Sequence, residues 1–285
     1  MKKYIKLMRV KHWIKNGLIF LPFFFNGDFD DIRKFLETCI GFFVFSIAAS
    51  IVYIINDMND IESDRQHPIK CKRPLASEEI SIIGAKKLLA LLGGIVLFLN
   101  WFVAKDNIVI WLLLFAYLVI NIIYSFGGKK IALLDIALLV TGYVIRIYYG
   151  AEIISVIVSS WLYLTVLFMA FFLGLGKRRN EIIMQGSKSR SVLKYYTKEF
   201  LDKNMYMCLG LTIMFYSLWC EEIHRFKTNG NIMFTIPLVV IICMKYSLNI
   251  EKEVDGDPLE TLLSDKMLMI LIATYVIVIS ALLWW

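Results

Sequence analysis

Asn56, Asp57, Asn59, Asp60, Glu62 and Asp64 put four carboxylates and two amides within nine positions. If these residues continue a helix, Asn56, Asp60 and Asp64 fall at i, i+4 and i+8 and share one face, drifting by about 40° per step. A row of hard oxygen donors of this kind suits Mg²⁺, which takes a few carboxylates and completes its shell with phosphate oxygens. Arg65, Lys70, Lys72 and Arg73 follow at once and supply cations for phosphate. A solvated loop between two membrane spans would also be acidic and basic. The ordered spacing at the exit of an apolar segment favours a metal-held diphosphate.

That segment, residues 35–55, is an apolar run of about twenty residues, long enough to cross a bilayer. The whole chain has 285 residues, 59% of them hydrophobic, with only 5 prolines and a mean hydropathy of +0.66. Such a composition excludes a soluble globular domain and predicts an all-α, polytopic membrane bundle, a single intramembrane domain over residues 1–285. The runs are too long and too little alternating for barrel strands. About nine transmembrane helices are expected, over 16–25, 35–55, 82–104, 108–126, 131–150, 156–176, 205–220, 232–248 and 267–285. The first is short and holds Pro22, so a tilted or partly re-entrant helix is expected there.

The net charge of +7 does not point to nucleic acid, because the cations lie in short segments between apolar runs. About 22 of the 31 Lys and Arg fall on one side of this topology and about 5 on the other, which makes the rich side cytoplasmic. A multi-pass protein of the plasma membrane is expected, its site facing the cytoplasm. Asn26-Gly27-Asp28 after the first apolar run is no signal-cleavage site. The five cysteines lack paired spacing and the three histidines are scattered, so neither zinc nor a disulfide framework is expected. No stretch reads as a helix-dimer face.

Further charge converges on the cytoplasmic side. Asp135 and Arg146 lie eleven residues apart, almost three turns, and so share a face of the fifth span with Gly142 and Tyr149. Charges at such depth mark polar cavities or structural pairings. Lys129 and Lys130 precede that span, after Tyr124-Ser125. Arg9, Lys11, Lys15 and Asn16 enter the first span, and Lys177, Arg178, Arg179, Asn180 and Glu181 leave the sixth. Asp255-Gly256-Asp257-Pro258 and Asp265 precede the ninth. Metal-held diphosphate chemistry on a lipid fits this rim, with no donor or acceptor named by it.

Asn56-Asp57-x-x-Asp60-x-x-x-Asp64-Arg65 within nine spans resembles the first signature of the UbiA superfamily of intramembrane prenyltransferases. The text from Arg9 to Asn16 and from Glu62 to Ser77, including His67-Pro68, resembles the polyprenyl-phosphate phosphoribosyltransferase branch, the decaprenyl-phosphate phosphoribosyltransferases. So do Tyr124-Ser125 with Lys129, Leu134-Asp135, Gly142 to Arg146, Gly176 to Glu181, and Gly256-Asp257-Pro258. Prenyl-transferring members usually carry a second acidic motif, D-x-x-x-D. Here Asp135 has Leu139 four residues on, and lysines precede it. Two departures from the branch stand out: Gly128 replaces a larger apolar residue before Lys129, and Glu78 replaces a glycine in a turn.

The resemblance implies transfer of 5-phosphoribose from 5-phosphoribosyl diphosphate (PRPP) to a polyprenyl phosphate, with Mg²⁺ as cofactor and diphosphate released. It implies Asn56, Asp60 and Asp64 as metal ligands, Asp57 in support, and Asp60, Asp64 and Lys129 as catalytic. Lys129 and Tyr124 would bind the ribose 5-phosphate or diphosphate, and Arg73, Lys177 and Arg178 the lipid phosphate. Lys15, Asn16, Asp135 and Arg146 would line the cavity. The alternative is a prenyltransferase of the same fold, moving a prenyl chain to an aromatic or lipid acceptor. A transporter or scaffold would show internal repeats or paired broken spans, and neither is seen in the sequence.

Overall fold

With backbone groups unable to find water in lipid, a chain this apolar satisfies them within its own helices. The structure, a computed structural model, describes residues 2–27, 30–66, 70–185, 191–226, 232–251, 261–262 and 264–284. Among these residues every regular element is helical. In order they are α1 (Lys2–Met8), α2 (Leu21–Asn26), α3 (Ile32–Asn59), α4 (Ile61–Arg65), α5 (Ile82–Ala104), α6 (Ile108–Phe126), α7 (Leu134–Ile153), α8 (Ser160–Gln185), α9 (Lys198–Phe226), α10 (Ile236–Glu251) and α11 (Lys266–Trp284). Short 3₁₀ segments join several of them.

Local sequence explains where the long helices start. Asp31 accepts hydrogen bonds from the amides of Arg33 and Lys34 and so caps α3, and Ser81 accepts from Gly84 and caps α5. Seven helices among the described residues are long and apolar enough to cross a membrane: α3, α5, α6, α7, α8, α10 with the 3₁₀ turn before it, and α11. The expected count of nine is not met by length and composition. The first expected span is the 3₁₀ segment Val10–Phe20 followed by the six-residue α2, with Pro22 in its first turn. The seventh lies inside the 29-residue α9, whose polar and charged residues keep it outside the seven.

The chain packs as two compact units, Met1–Ser125 with Ile145–Ile157, and Phe126–Val144 with Val158–Trp285. α7 supplies its first half to the second unit and its second half to the first. In the first unit α3 is the central rod. Val44, Phe45, Ala48 and Ile54 are buried against Leu92, Val96, Leu114, Tyr117 and Tyr149. α5 and α6 turn Leu97, Phe98, Trp101, Leu112 and Phe115 outward, as helices facing lipid do. In the second unit α8 and α9 pack together, with Phe172 edge-on to Tyr246 of α10 at 5.7 Å.

Small residues set the closest approaches. A Cβ on Gly150 would lie 2.1 Å from the carbonyl oxygen of Ile19, which is backbone and cannot turn aside. On Gly41 it would meet the Cδ1 of Ile153 at 2.3 Å, the far end of a flexible side chain. Gly150→Ala should therefore destabilise the protein by about 1–3 kcal/mol, while Gly41→Ala costs much less. Thermal midpoints of the two variants in detergent check this; equal midpoints would contradict it.

Candidate active site

α3 ends at Asp60 (φ −100°, ψ 11°), yet its hydrogen-bond ladder does not stop there. The amide of Asp60 donates to the Asn56 carbonyl (3.0 Å) and that of Asp64 to the Asp60 carbonyl (2.8 Å). The i, i+4, i+8 register of Asn56, Asp60 and Asp64 thus survives into α4. Asn56 and Asp60 are half-buried, while Asp57 and Asp64 are only 3% exposed. Carboxylates so far from water require cations with good geometry. Arg9 Nη2 lies 2.5 Å from Asp57 Oδ1, and Arg73 Nη1 lies 3.2 Å from the same oxygen and 2.6 Å from Asp64 Oδ2. The result is a ladder, Arg9–Asp57–Arg73–Asp64.

Its arginines are held from behind. Lys6 Nζ donates to the Lys72 carbonyl (2.6 Å) and Lys3 Nζ to that of Glu79 (3.1 Å), tying α1 to the segment that carries Arg73. Arg73 itself lies in a run of turns, its amide donating to Lys70 and its carbonyl accepting from Ser77. Arg9 joins α1 to the following 3₁₀ segment in the left-handed region (φ 51°), with its guanidinium 4.9 Å from the Tyr53 ring centre. Glu78, where the sequence comparison expects glycine, also has a positive φ, 60°. A glycine there removes backbone strain that an L side chain carries. Glu78 in return takes Arg65 Nη2 at 2.5 Å.

Deeper in the first unit lies a buried polar group. Asn16, 1% exposed, donates through Nδ2 to Ser46 Oγ (3.0 Å) and accepts from Arg146 Nε (2.7 Å). Arg146 Nη2 also donates to the Tyr117 hydroxyl (3.2 Å), and the guanidinium sits 5.1 and 5.0 Å from the Phe45 and Tyr117 ring centres. Aromatic faces stabilise a cation in this setting. Tyr149 donates to Asn100 Oδ1 at 2.7 Å. Lys15 is half-buried at the N-terminal segment and Tyr124 half-buried near the end of α6.

The second unit repeats the pairing of buried charges. Asp135 and Arg178 are both fully buried and 2.6 Å apart. Arg178 Nη1 also reaches Glu181 Oε2 at 2.8 Å. Tyr196 donates its hydroxyl proton to the other Asp135 oxygen (2.7 Å) and accepts from the Leu133 amide (2.6 Å). Burial, and next the bond to Asp135, push the Tyr196 phenol well above its usual range. Arg179 Nε is 2.5 Å from Asp202. Lys129 and Lys177 are half-buried, Lys129 in a 3₁₀ turn over Gly128–Lys130.

Sequence reasoning singled out Asn16, Asp57, Asp64, Arg73, Asp135, Arg146, Tyr149 and Arg178, and missed Arg9 as the partner of Asp57, and Ser46, Asn100, Tyr117, Tyr196 and Asp202. The N-terminal basic run held the signal for Arg9; nothing local marked Tyr196. Arg73 and Arg178, expected at a lipid phosphate, are engaged with carboxylates here, Arg178 wholly inside. Asp135 and Arg146 share α7 but have different partners. His67-Pro68 and the stretch 255–258 lie outside the described residues.

Residues 19–249 match the UbiA prenyltransferase family. A decaprenyl-phosphate phosphoribosyltransferase of Corynebacterium glutamicum is 30% identical over 95% of this chain and 84% of its own. A protein of the same name from Mycolicibacterium smegmatis is 28% identical over 97% and 91%. In fold, the chain is similar to a UbiA homologue from Archaeoglobus fulgidus solved with GPP and Mg²⁺, with a TM-score of 0.70 at 18% identity, covering 99% of each chain.

The Asp135–Arg178 pair yields a test of its own. Asp135→Leu removes one of the two carboxylates that hold a fully buried guanidinium, leaving Glu181 as its remaining ion-pair partner of the two. It should cost about 3–5 kcal/mol, and adding Arg178→Met should recover part of it. Thermal midpoints in detergent measure both. A double variant no better than the single one would show that the pair is not what holds these segments.

Proposed function

The chain belongs to the UbiA prenyltransferase family, and we propose that it transfers 5-phosphoribose from PRPP to a polyprenyl phosphate, releasing diphosphate. The observation that carries the chemistry is the i, i+4, i+8 hydrogen-bonded register of Asn56, Asp60 and Asp64, kept across the junction of α3 and α4, beside a pair of arginines. The donor and acceptor are supported by the names of relatives that align over nearly the whole chain. Prenyl transfer is the rival reading, and a fold shared with a homologue bound to GPP and Mg²⁺ speaks for it. That likeness is one of fold, at 18% identity, and the relatives at 28–30% carry the phosphoribosyl name.

The donor set fits a hard divalent ion: one amide oxygen and two carboxylates along a helix face, with no sulfur or imidazole among them. Among the described residues no three His, Cys, Asp or Glu side chains form a metal cluster. Asn56, Asp60 and Asp64 would hold Mg²⁺, which neutralises charge on the departing diphosphate. Asp57 has one oxygen shared by two guanidiniums, so we give it the positioning of Arg9 and Arg73 rather than a place on the metal. Lys129 and Tyr124 are proposed for the ribose 5-phosphate and Lys177 for the lipid phosphate. Asn16 and Arg146 would serve as a polar wall and Lys15 as a cation at its entrance. Arg178 and Asp135 act as positioning residues through their mutual pairing.

A lipid phosphate is ionised near neutral pH, so no strong general base is needed at the attacking oxygen. Alignment and charge neutralisation would supply most of the rate. We place the reaction at the cytoplasmic face of the plasma membrane, from the asymmetry of Lys and Arg, and read the chain as one transferase domain.

Two expectations follow from this reading. Purified protein given labelled PRPP, polyprenyl phosphate and Mg²⁺ should move label into the organic phase, and EDTA should stop it. Asp60→Asn and Asp64→Asn should each lower the rate by roughly 100-fold or more while the protein stays inserted. Label moving only from a prenyl diphosphate to an aromatic acceptor would make it a prenyltransferase. Single in-line displacement also predicts inversion at C1, from an α donor to a β product, read by the anomeric coupling in NMR. Retention would rule that step out.

A further inference from the structure

Arg9 stands out among the cations of the first unit in three independent respects. Its guanidinium is the nearest to Asp57, at 2.5 Å, on an oxygen that Arg73 already reaches at 3.2 Å. Its backbone is left-handed (φ 51°, ψ 47°), a conformation that non-glycine residues rarely hold. It is also the joint between two separately anchored pieces. On one side α1 is tied by Lys3 and Lys6 to the carbonyls of Glu79 and Lys72. On the other, Trp13 Nε1 donates to Ser50 Oγ and Asn16 donates to Ser46, both on α3. Asp57 and Asp64 carry two buried negative charges, and Arg9 and Arg73 balance them one for one. Arg9 is therefore the cation that brings the pair of acids to neutrality, and it does so from a strained joint.

Charge arithmetic says what that balance does to a metal. Asp57, Asp60 and Asp64 carry three negative charges, and Arg9 and Arg73 return two positive ones. A bare divalent ion approaching this group meets a site already close to neutral. An ion chelated by diphosphate brings its own negative charge, which can draw the arginines off the carboxylates. We infer that Arg9 is a placeholder cation: paired with Asp57, it keeps the carboxylate group close to neutral until a metal arrives with diphosphate, so that Asn56, Asp60 and Asp64 load the chelate in preference to the free ion. Arg9 is thus a positioning residue, acting through Asp57 and Arg73. This rests on the metal reading of Asn56, Asp60 and Asp64 proposed above.

Mn²⁺ is the probe, titrated by EPR against the full-length protein in detergent, with and without inorganic diphosphate. Wild type should bind Mn²⁺ weakly alone and distinctly tighter with diphosphate. Arg9→Gln should tighten binding of Mn²⁺ alone by about tenfold and shrink the gain from diphosphate, whereas Arg9→Lys keeps the wild-type pattern. A variant that merely damages the fold would weaken binding, so the sign of the change is diagnostic. Arg9→Gly removes the backbone strain along with the cation and carries the same expectation should Arg9→Gln not stay monodisperse. Unchanged or weaker Mn²⁺ binding in both neutral variants overturns the placeholder role. Asp64→Asn separates the two readings: if wild-type binding survives that substitution, the metal assignment itself has failed, whatever Arg9 does.

Discussion

Asp57, at the end of a membrane-length helix, and Asp64, on the short helix that follows it, are withdrawn almost completely from water. A buried carboxylate without a cation is among the costliest arrangements a protein can hold. Much of the surrounding architecture answers that one demand. Arg73 is carried in a run of turns that places it between the two acids, and Arg9 reaches Asp57 from a strained joint. Lysines of α1 tie that joint to the same turns. The second unit meets the same demand with Asp135, Arg178, Tyr196 and Glu181, locking the start of α7 to α8 and to the segment before α9.

These solutions differ in what they leave available. Arg178 has no exposed surface and is paired with two carboxylates, Asp135 and Glu181. Arg73 keeps about a quarter of its side chain exposed, and Arg9 a similar share. Asn56 and Asp60 remain partly exposed where α3 passes into α4. A site that must exchange internal cations for a metal and its phosphates needs pairs that are good but accessible. The first unit offers that, whereas the Asp135–Arg178 pair suits support.

Helical periodicity made most of this legible beforehand. The register of Asn56, Asp60 and Asp64 follows from spacing alone, and the ladder through Asp60 preserves it. The apolar runs of α3, α5, α6 and α11 were visible because their lengths match a bilayer. Where the sequence misled, tertiary contact decided. The first expected span is a 3₁₀ segment, because it follows a left-handed residue and is fixed by side chains to α3. Arg178 was expected at a lipid phosphate, because its fully buried partner Asp135 lies 43 residues away in the chain. Glu78 looked like a harmless turn substitution, and its positive φ could not be read from its neighbours.

Diffraction from the protein with Mn²⁺ and PRPP, collected at the manganese edge, tests the central claim most directly. An anomalous peak beside Asn56, Asp60 and Asp64, adjoining the diphosphate, is the predicted result. A peak away from the end of α3, with the donor bound elsewhere and the carboxylates still closed on their arginines, would contradict it.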